Sequence, residues 1–225
     1  MKQTGFLSGN ALKLIAAASM LIDHIGVLFF SGNVTFRIVG RLAYPIFAYM
    51  IAQGCCYTRN KTRYFLQIFL LSAACQLVYY LVDGSLYFSI LVTFSSSILV
   101  IYAMQYAREK GNAGFLLLAA AVAGVWLLNR YLTIDYGFWG SMVPVFAALF
   151  MERGRDTKWK TLLSTGVGLL ILSLTLGGVQ IWSLAALPVL ALYNGQRGKL
   201  PMKYFFYIFY TLHLAVLQGI AWILS

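Results

Sequence analysis

Nine apolar stretches, each about 17–22 residues long, follow one another through this chain with only short polar breaks. They cover residues 11–31, 35–56, 63–82, 86–106, 113–129, 136–152, 160–176, 178–194 and 204–224. A helix needs roughly 17–25 apolar residues to cross a bilayer, and in hydrocarbon it satisfies its own backbone polar groups. The expected fold is therefore all-α: a polytopic transmembrane bundle of about nine spans, forming one domain over residues 1–225. Several stretches sit at the lower length limit, so tilted neighbours or one re-entrant segment are expected. Only 10% of the 225 residues are charged, against about 25% in a soluble domain, which leaves no room for a soluble domain of useful size. The first stretch lacks a small-residue cleavage site and reads as part of the bundle, not as a cleavable signal.

The net charge is +11. In a soluble protein that excess would point to nucleic acid or another acidic partner. Here 14 of the 17 basic residues fall at one side of the expected bundle. They are Lys2, Lys13, Arg59, Lys61, Arg63, Arg108, Lys110, Arg153, Arg155, Lys158, Lys160, Arg197, Lys199 and Lys203. Basic loops stay in the cytoplasm, so the N-terminus is expected inside, the C-terminus outside, and no nucleic-acid partner is implied. Merging two spans would put basic loops on both sides. Cys55, Cys56 and Cys75 lack metal-ligand spacing and read as packed free thiols. Pro45, Pro144 and Pro188 fall inside spans. Each removes a helix hydrogen bond, Pro45 that to the Arg41 carbonyl, and such breaks survive where a cavity or polar neighbour takes the freed group.

Few ionisable groups enter these spans, and each costs about 2.5–3.5 kcal/mol on insertion scales. The segment MLIDHIG sets Asp23 and His24 side by side, Arg37 and Arg41 open the second span, and His213 lies in the last. At 1.5 Å per residue, His24 is about 20 Å and His213 about 14 Å along their helices, near mid-membrane. Arg37 and Arg41 share one face by their spacing of four, and Arg41 reaches about 9 Å below the outer boundary. The short SGN connection pairs the first two spans. Neighbours in a helix point about 100° apart, so His24 is expected to face a cavity while Asp23 reaches sideways to Arg41 or Arg37. The plainer reading is a helix-clamping Asp23–Arg41 pair with His24 bonded to a backbone carbonyl.

Outside that cluster, Asp135 and Tyr136 in IDYGFWG either cap a helix or line the outer mouth. Thr93, Ser95, Ser96 and Ser97 read as helix–helix hydrogen bonding or a cavity lining. TRNKTR (58–63) is a basic turn suited to anionic lipid or to the phosphates of a soluble donor.

LKLIAAASMLIDHIG (12–26), RIVGRLAYPIFAYMIAQG (37–54), YTRNKTRYFLQ (57–67), DYGFWG (135–140), LYNGQRG (192–198) and KYFFYIFYTLHL (203–214) together resemble the TraX family. The resemblance implies a bacterial inner-membrane protein related to acetylation of the pilin N-terminus in conjugation. More distantly it is similar to membrane acyltransferases that use cytoplasmic acetyl-CoA. Asp23, His24, Arg37, Arg41 and His213 fall on the family's motif positions. The chain departs from the pattern at Thr211, Ser89 and CQLVYY (75–80), with the histidine–arginine core intact.

The expected activity is a transmembrane O- or N-acetyltransferase. His24 would be general base or acetyl carrier, and His213 a second acid/base or relay. Arg41, with Arg37, would hold Asp23 and stabilise the oxyanion. Arg59, Lys61 and Arg63 would take the phosphates of acetyl-CoA. Asp135 and Tyr136 would admit an extracytoplasmic acceptor, a peptide N-terminus, a glycan or a lipid head group. A small proton-coupled transporter with Asp23 and His24 as its relay is the competing class, though the chain shows no internal repeat of the kind many transporters carry. A non-catalytic assembly subunit is the third; it gives no reason for a mid-membrane Asp-His-Arg cluster.

Overall fold

Every predicted apolar stretch contains helix in the computed structural model, which describes residues 5–84, 86–155, 157–199 and 202–224. Lys2 lies outside the described residues, as does the side chain of Lys203. The elements are α1 Gly9–Phe29, α2 Val34–Gly40, α3 Ala43–Tyr57, α4 Lys61–Asp83, α5 Ile90–Lys110, α6 Asn112–Tyr131, α7 Gly137–Ala148, α8 Lys158–Leu176, a 3-10 stretch Gly178–Ala185 continuing into α9 Ala186–Ala191, and α10 Lys203–Leu224. Caps set several boundaries. Ser8, Asn33 and Asn60 accept the N–H of Ala11, Thr35 and Arg63 at the starts of α1, α2 and α4. Gly84 ends α4 in the left-handed region.

Among the described residues, seven helices are long and apolar enough to cross a membrane, α2 and α3 counting as one. The sixth and eighth predicted spans are the exceptions. In α7, 12 residues cover about 18 Å, short of a hydrocarbon core of about 30 Å. The eighth stretch is 3-10 for eight residues and α for six. Residues 140–144 of α7 are buried in the protein, where length need not match the lipid.

Contacts sort the connections into two ends. At one end Leu7 N donates to Leu192 O (3.0 Å) and Gly9 N to Gln196 O (2.7 Å). There too the Tyr193 hydroxyl reaches Gln53 (2.9 Å), Cys56 Sγ lies 3.7 Å from Met151 O, and Arg108 reaches Leu149 O. At the other end Phe88 N donates to Thr133 O and Asp135 N to Phe88 O, both 2.9 Å, and Arg41 reaches Gln180. Among the described residues the helical segments thus run alternately between the two ends. The loop cations gather at the first, which is called the basic end below.

The second span is interrupted. α2 stops at Gly40, Arg41 and Leu42 form a turn, and α3 restarts at Ala43. Pro45 sits in the first turn of α3, where its missing N–H costs no helix bond. Around α3 the core is close-packed. Tyr44, Ile46, Ala48 and Ala52 are almost fully buried against Leu12, Phe94, Ile98 and Val143. The serine run of α5 faces inward, with Ser97 Oγ donating to Thr93 O (2.8 Å) and Ser141 O (2.7 Å). That is the helix–helix bonding reading. Where α6 packs on α5, a Cβ on Gly114 would meet the Ala107 backbone. Gly114→Val is expected to cost about 1–3 kcal/mol from overpacking, measured as a lower thermal midpoint of the purified protein; an unchanged midpoint would contradict this packing.

Candidate active site

α1 and α10 cross so that two imidazoles meet in the interior. His213 Nε2 is 3.0 Å from His24 Nδ1, with ring centroids 4.9 Å apart. His213 Nδ1 lies 2.8 Å from Phe209 O and 3.1 Å from Tyr210 O. Carbonyl oxygens only accept, so Nδ1 of His213 holds its proton and, for a neutral ring, Nε2 is a lone pair. His24 Nδ1 must then be the donor. His24 Nε2 is then left unprotonated, free of the bond to His213. Phe209 stacks on the His213 ring at 5.0 Å and 13°, which fixes its plane.

On the adjacent residue of α1, the Asp23 carboxylate sits between two guanidiniums. Arg37 Nη1 is 2.8 Å from Oδ2, and Arg41 Nη2 is 3.2 Å from Oδ1 and 3.3 Å from Oδ2. Arg41 also donates from Nε to Arg37 O (3.3 Å) and from Nη1 to Gln180 Oε1 (3.0 Å). Its fork is largely committed to holding α1, α2 and the 3-10 stretch together. Arg37 is half-exposed, with donors to spare. Gly40 makes the approach possible, because a Cβ there would overlap the Asp23 side chain.

Asp23, His24, Arg37, Arg41 and His213 all line one cavity of about 360 Å³, together with Asp135 and Tyr136. The seven residues assigned from sequence to chemistry and acceptor are therefore neighbours. Asp135 does not cap α7: the residue at the cap is Tyr136, in the left-handed region at φ 60°, with no side-chain cap bond. The Asp135 carboxylate instead accepts the Tyr87 hydroxyl at 3.0 Å. Burial raises its pKa above the usual carboxylate range, and the Tyr87 bond opposes that. Tyr136 stacks on Tyr44 at 4.1 Å, and the Tyr44 hydroxyl donates to Gly140 O at 2.6 Å.

A second cavity, about 630 Å³, opens at the basic end. Arg59, Lys61 and Arg63 do not line it; they are exposed beside its lining residues Tyr57, Thr58 and Tyr64. The cations that do line it are Lys13 and Arg197. Sequence reasoning missed these as site residues, along with Gln180, Tyr87 and Tyr210. Lys13 and Arg197 had been counted only as topology signals. A glutamine or tyrosine in an apolar stretch carries no periodic signal.

A family model described as TraX protein matches residues 8–221. The chain is also similar to the "Probable fimbrial assembly protein FimC, serogroup H1" of Dichelobacter nodosus. The two are 24% identical over 246 residues, covering 93% of this chain and 94% of that protein. No solved structure matches.

Removing Asp23 leaves two guanidiniums facing each other. Asp23→Leu is expected to cost about 3–5 kcal/mol, read as lost folded yield or a lower thermal midpoint. Adding Arg37→Leu should recover part of that loss; if the double variant is no better than the single, the carboxylate does not act by neutralising charge.

Proposed function

Because the chain belongs to the TraX protein family, we propose that its histidine pair is the catalytic centre of a membrane-embedded acetyltransferase serving pilus or fimbrial assembly. The observation that carries this reading is the contact between His24 and His213, both lining one cavity, with the His213 ring held on backbone carbonyls so that the tautomer argument leaves His24 Nε2 a lone pair. It is the arrangement of a nucleophile-activating base with an orienting partner. Here His213 has the orienting role that a carboxylate has elsewhere.

In this reading the nine segments cross the bacterial inner membrane, with the basic end in the cytoplasm and the C-terminus outside. Acetyl-CoA is the donor and is drawn to the cationic end, where Arg59, Lys61 and Arg63 flank the inner cavity. The acceptor is an amine or hydroxyl outside the cytoplasm, such as a pilin-like peptide N-terminus or a surface glycan, and it approaches past Asp135 and Tyr136. His24 Nε2 takes the acceptor's proton as its nitrogen or oxygen attacks the thioester carbonyl carbon. The resulting imidazolium is stabilised by its Nδ1–H bond to His213. Arg37, with its uncommitted donors on the cavity, suits the developing oxyanion. Collapse breaks the carbon–sulfur bond, and the thiolate takes the proton back from His24. The same lone pair could instead carry the acetyl group between donor and acceptor.

Purified protein given acetyl-CoA labelled in the acetyl group should release CoA and label an added acceptor peptide. His24→Ala should lower turnover by about 10²–10⁴-fold while the protein remains folded in the membrane. Undiminished turnover would sink the assignment. Recovery of acetylated protein when acceptor is withheld would select the carrier route. Orientation has its own check in a cysteine-free background: an impermeant maleimide added to intact cells should label Tyr131→Cys and leave Arg155→Cys unlabelled. The reverse pattern would invert the topology.

A further inference from the structure

The two cavities share two lining residues, Phe47 and Tyr210. Their rings meet edge to face with centroids 5.7 Å apart, so this pair of aromatic side chains stands in the wall of both spaces. Tyr210 is three residues before His213 on α10, about 4.5 Å along the axis, and the two rings are 6.1 Å apart. The ring pair therefore adjoins the histidine pair on the side toward the basic end. Tyr210 is 6% exposed, and its hydroxyl has no hydrogen-bond partner among the described residues. A buried hydroxyl in that state lacks an acceptor that a ligand could supply.

The far end of the inner cavity has the opposite character. Lys13 is half-buried in its wall and Arg197 exposed at its rim. Neither has an ion-pair partner among the described residues. Lys13 Nζ lies 5.7 Å from the centre of the Phe206 ring. Between the two ends the walls are mainly apolar and aromatic, with Met50, Ile51 and Tyr64 among them. Cations at the mouth, a greasy throat and a lone hydroxyl at the bottom match a ligand with phosphates at one end and a carbonyl at the other. The lengths agree as well. Lys13 to His24 is eleven residues, about 17 Å along α1. A phosphopantetheine arm has about thirteen backbone atoms, the equivalent of four to five extended residues, or ~15 Å.

We propose that this inner cavity is the seat of an acyl-thioester donor: Lys13 and Arg197 take its phosphates, and its acyl end passes between Phe47 and Tyr210 to reach His24. The proposal rests on the acetyltransferase reading and adds a residue to it. The Tyr210 hydroxyl donates a hydrogen bond to the acyl carbonyl oxygen and holds it as the tetrahedral oxyanion forms. The acceptor's lone pair bonds to the carbonyl carbon, its proton goes to His24 Nε2, the carbon–sulfur bond breaks, and the thiolate leaves with that proton as the free thiol. The thiol then withdraws past the ring pair, leaving the acetyl group on the acceptor in the outer cavity.

The test separates binding from turnover. S-ethyl-CoA, a thioether that cannot transfer an acyl group, is titrated calorimetrically into the purified full-length protein, and CoA release from acetyl-CoA is measured in parallel. Lys13→Gln with Arg197→Gln should weaken S-ethyl-CoA by about tenfold or more, and Arg155→Gln at the same end should change it by less than about threefold. Tyr210→Phe, which keeps the ring, should leave that affinity in place and lower kcat by about 10²-fold. Unchanged affinity in the double variant overturns the cavity assignment, as does binding lost only in Arg59→Gln, Lys61→Gln, Arg63→Gln. Unchanged kcat in Tyr210→Phe overturns the role of the hydroxyl. S-ethyl-CoA bound in a Lys13- and Arg197-dependent way by a protein that releases no CoA would keep the cavity assignment and sink the acetyltransferase reading instead.

Discussion

One carboxylate organises the histidine-bearing cavity of this molecule. Asp23 is the acid placed inside α1, and it meets two guanidiniums within hydrogen-bond distance. Each of these groups alone would be costly in hydrocarbon. Together they let α1 and α2 pack through Gly40, which fixes the rotation of α1 about its own axis. That rotation decides where the next residue points. Because neighbours diverge by about 100°, seating Asp23 on α2 sends His24 toward α10 and the cavity. The ion pair is therefore a positioning device for the imidazole as much as a clamp, and the clamp and catalytic readings of these residues are complementary.

The break in the second span follows from the same geometry. An uninterrupted helix from Val34 to Tyr57 would carry Arg41 in a rigid frame. Instead the chain turns at Arg41 and Leu42 and restarts in front of Pro45. The turn lets Arg41 reach Gln180 on the 3-10 stretch while still holding Asp23. Irregular backbone at this depth is tolerated where the protein itself supplies the hydrogen bonds. Both departures from regular helix, at Gly40–Leu42 and at Gly178–Ala185, are joined by this one glutamine–arginine bond.

Much of this was legible from residue order. Apolar run length located the seven helices long enough to span, among the described residues, and the two shorter apolar segments beside them, because a backbone in lipid has few options. The scarcity of charge made Asp23, His24, Arg37, Arg41 and His213 conspicuous, and spacing with depth brought them to one level. What remained hidden depends on side-chain register between segments distant in sequence. Gln180 is 139 residues from Arg41, and no local pattern encodes that contact. Asp135 could be read as a cap from its place before α7, yet its carboxylate turns to Tyr87 on the neighbouring connection. The compact TRNKTR turn drew attention for its charge density, whereas the cations that line the inner cavity, Lys13 and Arg197, are scattered singly along the chain. The two short segments, α7 and the 3-10 stretch with α9, reached the predicted span lengths only by adding flanking residues that the structure leaves outside the helices.

The proposed reaction, joining a cytoplasmic donor to an external acceptor, must solve two problems at once. The reacting groups have to meet in one place, and the membrane must not leak through that place. Here two concave spaces approach from opposite ends, and the aromatic pair Phe47 and Tyr210 stands in the wall of both. An edge-to-face contact of this kind is worth only about 0.5–1.5 kcal/mol beyond its burial, so a ligand arm gaining apolar contacts in the inner cavity can displace it. In the proposed scheme the same ring pair refills the gap when the arm withdraws. The histidines need no movement in this scheme: the His213 tautomer is set by main-chain carbonyls of α10 and that of His24 by His213, and both residues line the outer cavity.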